Sequence, residues 1–119
     1  MSQTSRHLSV WVHADHTRAY AIASDRSRLP EWATGLADPQ LDLEIVEFAS
    51  PNEFGVLDHV VRMPDGTTVF NPMRVIPADD ECEIVFTLRR RADQTPEQFD
   101  ADAAAVSADL TALKALIEQ

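Results

Sequence analysis

The sequence predicts an α+β domain in which an antiparallel sheet packs on one long C-terminal helix. Two observations carry the prediction. From residue 41 apolar residues recur with period two, and from residue 95 they recur at alternating steps of four and three. A third, a strand followed at once by two short helical segments at the N-terminus, sets the order of the parts.

Residues 7–13, HLSVWVH, alternate Leu8, Val10 and Val12 with Ser9, Trp11 and His13, and read as the first strand. Asp15 offers a helix N-cap, with Ala19, Tyr20, Ile22 and Ala23 at helical spacing behind it, and Ser24-Asp25 closes the helix. In RLPEW, Pro30 suits the first turn of a second short helix, where no backbone N–H is lost, and Gly35 suits its end. Ala37-Asp38-Pro39-Gln40 links it to the sheet.

In residues 41–48, LDLEIVEF, Leu41, Leu43 and Ile45 alternate with acids, as in a strand, and Ser50-Pro51-Asn52 ends it. Residues 54–63 form the next strand, and Pro64-Asp65-Gly66 turns into a further one over 67–76 because Gly66 can take a positive φ. Pro77-Ala78-Asp79-Asp80 turns again into a last strand over 82–90. That makes five strands, the later ones an antiparallel meander. Thr95 and Gln98 have capping-box spacing, with Pro96 at the first helical position. Phe99, Ala103, Val106, Leu110, Leu113 and Ile117 then form one apolar stripe, which a helix buries against a sheet.

Composition limits what such a domain does. At 119 residues and 13.2 kDa, residues 1–119 make one domain. Twenty acidic against ten basic residues give a formal charge of −10, a surface that repels phosphate backbones and anionic membranes. Nucleic acid is therefore not an expected partner. Arg89-Arg90-Arg91, the one basic cluster, reads as a solvated strand end. Cys82 is the single cysteine, so no internal disulfide forms. No signal peptide is read at the N-terminus and no run of 18 apolar residues exists to span a membrane, so the cytoplasm is the expected location.

The segments SRLPEWATGL, NEFGVLDHVV, NPMRVIP, EIVFTLRRR and DLTALKALIEQ, in this order of elements, resemble the START-like (SRPBCC) helix-grip superfamily, which unites START domains, the birch-pollen allergen and aromatase/cyclases. The similarity covers nearly the whole chain and points to the bacterial polyketide cyclase/dehydrase-like branch. It implies a curved sheet gripping the long helix, with an apolar ligand between them. Members usually have about seven strands, so the five counted here imply a reduced sheet, a smaller cavity and a longer exposed edge.

Asp58 and His59 sit side by side in NEFGVLDHVV, but neighbours on a strand point to opposite faces and cannot share a proton. The apolar pattern turns Leu57, Val61, Val69, Met73, Val75, Ile84, Phe86 and Leu88 toward the helix, and His59 and Asn71 with them. Burial lowers the pKa of such a histidine, leaving a neutral imidazole. His59 and Asn71 then either orient a ligand, as candidate catalytic groups, or satisfy each other and the backbone. The opposite face pairs Asp58 with Arg74 and carries Val56, Val60, Phe70, Ile76 and Val85, apolar enough for a homodimer surface.

The resemblance implies a ligand site formed by Trp32, Leu57, His59, Val61, Asn71, Met73, Ile84, Phe86, Phe99, Val106 and Leu110. Trp32 either lines the cavity or plugs the core. His13 and His16 have a spacing seen in metal sites, but Asp15 between them reads as a cap, and neither a metal nor a cofactor is expected. There is no glycine-rich phosphate loop and no nucleophile elbow. Three functions follow as expectations: a carrier of a small apolar or aromatic molecule, a polyketide cyclase or dehydratase using His59, or a dimeric interaction module with a collapsed cavity.

Overall fold

The computed structural model describes residues 4–38 and 40–119. Residues 1–3, within the stretch where no signal peptide is read, and Pro39, in the link after the second helix, lie outside them. The order of elements is β1 (Ser5–Val12), α1 (His16–Ala23), a 3₁₀ helix (Arg26–Glu31), α2 (Thr34–Ala37), β2 (Glu44–Phe48), β3 (His59–Arg62), β4 (Thr68–Asn71), β5 (Met73–Ala78), β6 (Glu81–Arg89) and α3 (Pro96–Ile117).

Local chemistry sets the boundaries. The Asp15 side chain accepts from the Thr17 amide and starts α1. Thr95 and Gln98 form both halves of a capping box, with Pro96 just inside, and open a 22-residue α3 of about 33 Å at 1.5 Å per residue. The second short helix differs from expectation. It is a 3₁₀ turn containing Pro30, followed by a separate one-turn α2, and Gly35 lies inside α2 rather than ending it.

Among the described residues six strands are present rather than five, in two antiparallel three-stranded sheets ordered β1-β6-β5 and β2-β3-β4. The strand expected over 67–76 is divided at Pro72, which has no N–H to give to a ladder. Before it the chain pairs with β3, and after it with β6. The two sheets remain joined. Leu57 N–H donates to Met73 O at 2.8 Å, Val75 N–H to Gly55 O at 2.9 Å and Thr87 N–H to Pro72 O at 3.0 Å.

Two other strands start later than their alternation suggests. Asp42 has a φ of 50°, a turn conformation, so β2 begins at Glu44. Before β3, the Asn52 side chain binds the Ser50 and Val56 carbonyls and the Phe54 and Val56 amides at 2.9–3.0 Å, folding residues 50–56 into a loop. Gly55 makes that loop possible: its φ is +72°, and a Cβ there would lie 2.2 Å from Val75 O.

The core lies between the β1-β6-β5 sheet and the helices. Val12, Leu57, Met73, Cys82, Ile84, Leu113 and Ile117 are its largest fully buried side chains. α3 buries Phe99, Ala103, Leu110, Leu113, Leu116 and Ile117, close to the predicted stripe, with Val106 half-buried. Among the described residues no helix is long and apolar enough to cross a membrane.

Candidate functional site

Between the sheets and the middle of α3 lies a cavity of about 210 Å³. The sheet contributes Phe48 from β2, His59 and Val61 from β3, Val69 and Asn71 from β4, Met73 from β5 and Phe86 and Leu88 from β6. Opposite them, α3 contributes Asp102, Ala105, Val106, Asp109 and Leu110, which share one helical face. Leu29, Trp32, Ala33 and Leu36 close one side. The cavity is not collapsed, and Ile45 and Phe48 of β2, with Leu43 just before it, also reach its wall.

Of the expected ligand-site residues, Trp32, His59, Val61, Asn71, Met73, Phe86, Val106 and Leu110 lie on this wall. Leu57, Ile84 and Phe99 do not: all three are core residues, at most 3% exposed. They have the predicted inward orientation but belong to the packed core, where other side chains cover them.

His59 is held on three sides. Its Nδ1 is 2.9 Å from Leu57 O, and since a carbonyl only accepts, Nδ1 carries the proton. Its ring is stacked on Phe48 (centroids 5.7 Å apart, planes at 13°) and tilted against Phe86 at 6.1 Å. Burial drives its pKa below the ordinary histidine value, against the opposing effects of the Leu57 carbonyl and Asp58 charge. The imidazole is therefore neutral, with its lone pair on Nε2. Asn71, directly opposite in the β3-β4 register, places Nδ2 3.5 Å from that atom, at the long limit of a hydrogen bond.

Trp32 lies between the 3₁₀ helix and α2, is 7% exposed, and both packs into the core and borders the cavity. Its Nε1 has no hydrogen-bond partner among the described residues. The alternation of the strands pointed to none of the polar groups on the helix side. Asp109 accepts from Thr34 Oγ1 at 3.3 Å, and burial raises its carboxyl pKa above the usual value. Arg91 Nη1 is 3.6 Å from Asp102 Oδ2, and Arg89 shares that exposed rim. Asp102 and Asp109 stand seven apart, two helical turns, beside the apolar stripe, a signal present in the sequence.

The outer face is separate from this site. Asp58 and Arg74 form the expected pair, Nη2 to Oδ2 2.7 Å, with Phe70 and Ile76 exposed nearby. Asp15 serves as a cap, and His13 Nδ1 lies 2.9 Å from Glu81 Oε2.

No family model matches the chain, and no curated protein sequence is significantly similar to it. Solved structures do match. The Zhui aromatase/cyclase from Streptomyces sp. R1128 is similar with a TM-score of 0.65 at 15% identity, covering 98% of this chain and 94% of that one. A truncated norcoclaurine synthase from Thalictrum flavum matches at 0.61 and 16% identity over the same shares. A START superfamily protein from Mycobacterium smegmatis matches at 0.57 and 14% identity, over 98% and 97% of the two chains. At these identities the likeness is one of fold.

Proposed function

With the START-like helix-grip fold as premise, we propose that this chain binds a small apolar or aromatic molecule between its sheet and C-terminal helix. The observation that supports the reading is the cavity of about 210 Å³, apolar over most of its wall, with His59 and Asn71 as polar groups on the sheet side and Asp102, Asp109, Arg89 and Arg91 on the helix side and rim. An apolar hollow with a few convergent polar groups suits a ligand bound by burial and oriented by hydrogen bonds. The expected ligand site is retained as Trp32, His59, Val61, Asn71, Met73, Phe86, Val106 and Leu110. The test is native mass spectrometry with flat aromatic and fatty-acid panels. Retention of one small molecule per chain is the expected result, and uptake of none defeats the proposal.

A second reading, a cyclase or dehydratase, draws on the state of His59. A neutral imidazole with Nδ1 fixed on Leu57 O leaves Nε2 as a general base rather than a donor. Under this reading His59→Gln abolishes turnover of a poly-β-ketone substrate, whereas a carrier has no rate to lose.

The partner we propose for the outer face is a second copy of this chain. Trp11 and Ile76 flank Glu83 in one cross-strand row at 44% and 45% exposure, and Phe70, 52% exposed, pairs with Val60. Light scattering should return twice the chain mass for the native protein and the single mass for a Phe70→Ser, Ile76→Ser variant. A native monomer overturns it.

A further inference from the structure

Building on the ligand-binding reading above, we infer that the cavity takes an amphipathic monocarboxylate, an aryl or alkyl acid whose apolar end lies against Phe48, His59 and Phe86 and whose carboxylate binds Arg91 and Arg89 at the mouth.

The arginine cluster supplies the charge. Of Arg89-Arg90-Arg91, which the sequence alone reads as a solvated strand end, Arg89 and Arg91 border the cavity. Arg90 is committed elsewhere, its Nε donating to Gln94 O at 3.0 Å. The other two are not. Arg91 Nη1 lies 3.6 Å from Asp102 Oδ2, an ion pair too long for a hydrogen bond and 40% exposed on both sides. The Arg89 side chain has no ion-pair or hydrogen-bond partner among the described residues. Two guanidiniums beside an apolar hollow therefore keep their N–H forks unfilled, and such a fork matches a carboxylate.

The two acids on the wall do not cancel this. Gln94, itself 4% exposed, donates from Nε2 to Asp102 Oδ2 and accepts the Arg91 backbone N–H on Oε1 at 3.2 Å. A buried amide thus secures Asp102 independently of the Arg91 side chain. An incoming carboxylate can draw Arg91 away without stranding Asp102, and giving up an exposed pair of that length costs little. Asp109 lies seven residues further along α3, about 10 Å at 1.5 Å per residue, where it accepts from Thr34. At roughly one Debye length in 0.1 M salt, its repulsion of a carboxylate at Arg91 is largely screened, and burial further disfavours its charge.

Position along β6 sets the length of the occupant. The His59 and Phe86 rings are 6.1 Å apart, and Arg89 follows Phe86 by three residues, about 10 Å at 3.3 Å per residue. Between them the wall is apolar, with Val61 on β3, Leu88 on β6 and Val106 on α3. A phenyl ring followed by a short methylene arm and a carboxylate spans that distance.

Three probes of one shape isolate the effect of charge: 4-phenylbutanoate, 4-phenylbutanamide and 4-phenylbutylamine. They are titrated calorimetrically into the full chain at pH 7, at low salt and again in about 0.5 M NaCl, where exposed charges are screened. At low salt the carboxylate should bind about tenfold more tightly than the amide, and the gap should narrow at high salt. Arg91→Gln should reduce the preference, and Arg89→Gln with Arg91→Gln should remove it while changing the amide's affinity far less. Equal affinities of carboxylate and amide in the native chain overturn the inference and leave cavity binding intact. Tightest binding of the amine also overturns it and transfers control to Asp109. A double variant that keeps the full preference shows that the carboxylate binds elsewhere, and overturns it as well. Binding of no probe overturns both this inference and the reading it rests on. The carboxylate-to-amide ratio of the native chain, and its response to salt, decides the matter even if a variant fails to fold.

Discussion

The Asp58 carboxylate and the His59 imidazole, adjacent in the chain, serve opposite faces of the sheet. Asp58 accepts from Arg74 Nε at 3.1 Å, Arg74 Nη2 at 2.7 Å and the Met73 amide at 2.9 Å, while the His59 ring lies on the cavity wall against Phe48 and Phe86. One is an anion held in place, the other a base kept neutral, and their titrations have separate consequences.

Burial works against charge on Asp58, but the Arg74 guanidinium and the Met73 N–H prevail and hold its carboxyl below the ordinary value. Its contribution to stability is present above about pH 4, the unfolded value, and is lost as pH falls through the lower folded value. Arg74 is half exposed, so the pair itself is screened. Asp58→Ala should cost about 1–2 kcal/mol at pH 7, partly from the stranded Met73 amide, and less at pH 3, where the native protein has begun to lose the contribution of the carboxylate. Urea midpoints at the two pH values check this.

For His59 the folded pKa lies below the unfolded value of about 6.5, so below that pH the unfolded chain binds the extra proton first. Stability is complete above pH 6.5 and declines as pH falls toward the folded value. A His59→Gln variant should lose less stability than the native protein between pH 7.5 and 5.5, measured as the difference in urea midpoint. His7, His13 and His16 are common to both proteins, and an equal decline would show that His59 titrates as it does when unfolded.

At Gly55 an added Cβ meets Val75 O at 2.2 Å on a φ of +72°, whereas at Gly66 it meets nothing within 4 Å on a φ of +90°. Gly66→Ala therefore incurs backbone strain alone, about 1–2 kcal/mol, while Gly55→Ala adds a clash with backbone and should cost about 3 kcal/mol or more. Thermal unfolding of the two variants side by side gives the comparison. Equal losses would mean the 50–56 loop yields to accommodate the methyl group.

Val106 projects from α3 into the cavity and is half-buried. Val106→Phe should fill that space and abolish ligand uptake while changing stability by less than about 1.5 kcal/mol, because the added atoms enter a hollow rather than a packed core. Native mass spectrometry and a urea titration read the two effects independently. A variant that still takes up ligand would place the ligand elsewhere.

Much of this architecture was legible from period and punctuation. Inward-facing Leu57, Val61, Met73, Val75, Ile84, Phe86 and Leu88 are all buried, as is His59, because a two-residue period leaves a strand no freedom over which face each side chain takes. The α3 start was readable because both capping partners are local. The partner change at Pro72 was not, since it depends on which strands lie on either side. Nor was the loop before β3, where one Asn52 side chain outweighs the strand pattern of residues 54–58. Within the site, strand alternation identified the sheet wall, but the boundary between cavity and packed core depends on how far α3 and β2 stand off the sheet. That spacing is why Leu57, Ile84 and Phe99 lie away from the wall, and why Phe48 and Asp109 were not expected on it.

Cys82, the single cysteine, sits on β6 between β1 and β5 with none of its surface exposed, and burial raises its thiol pKa. A thiol-modifying reagent can reach it only when the sheet opens, so the labelling rate is a clock on that opening. Any molecule that enters the closed cavity and not the open chain slows this clock by the factor 1 + [L]/Kd. The protein thus carries its own binding gauge, able to weigh a colourless, non-fluorescent compound with no tag on either partner.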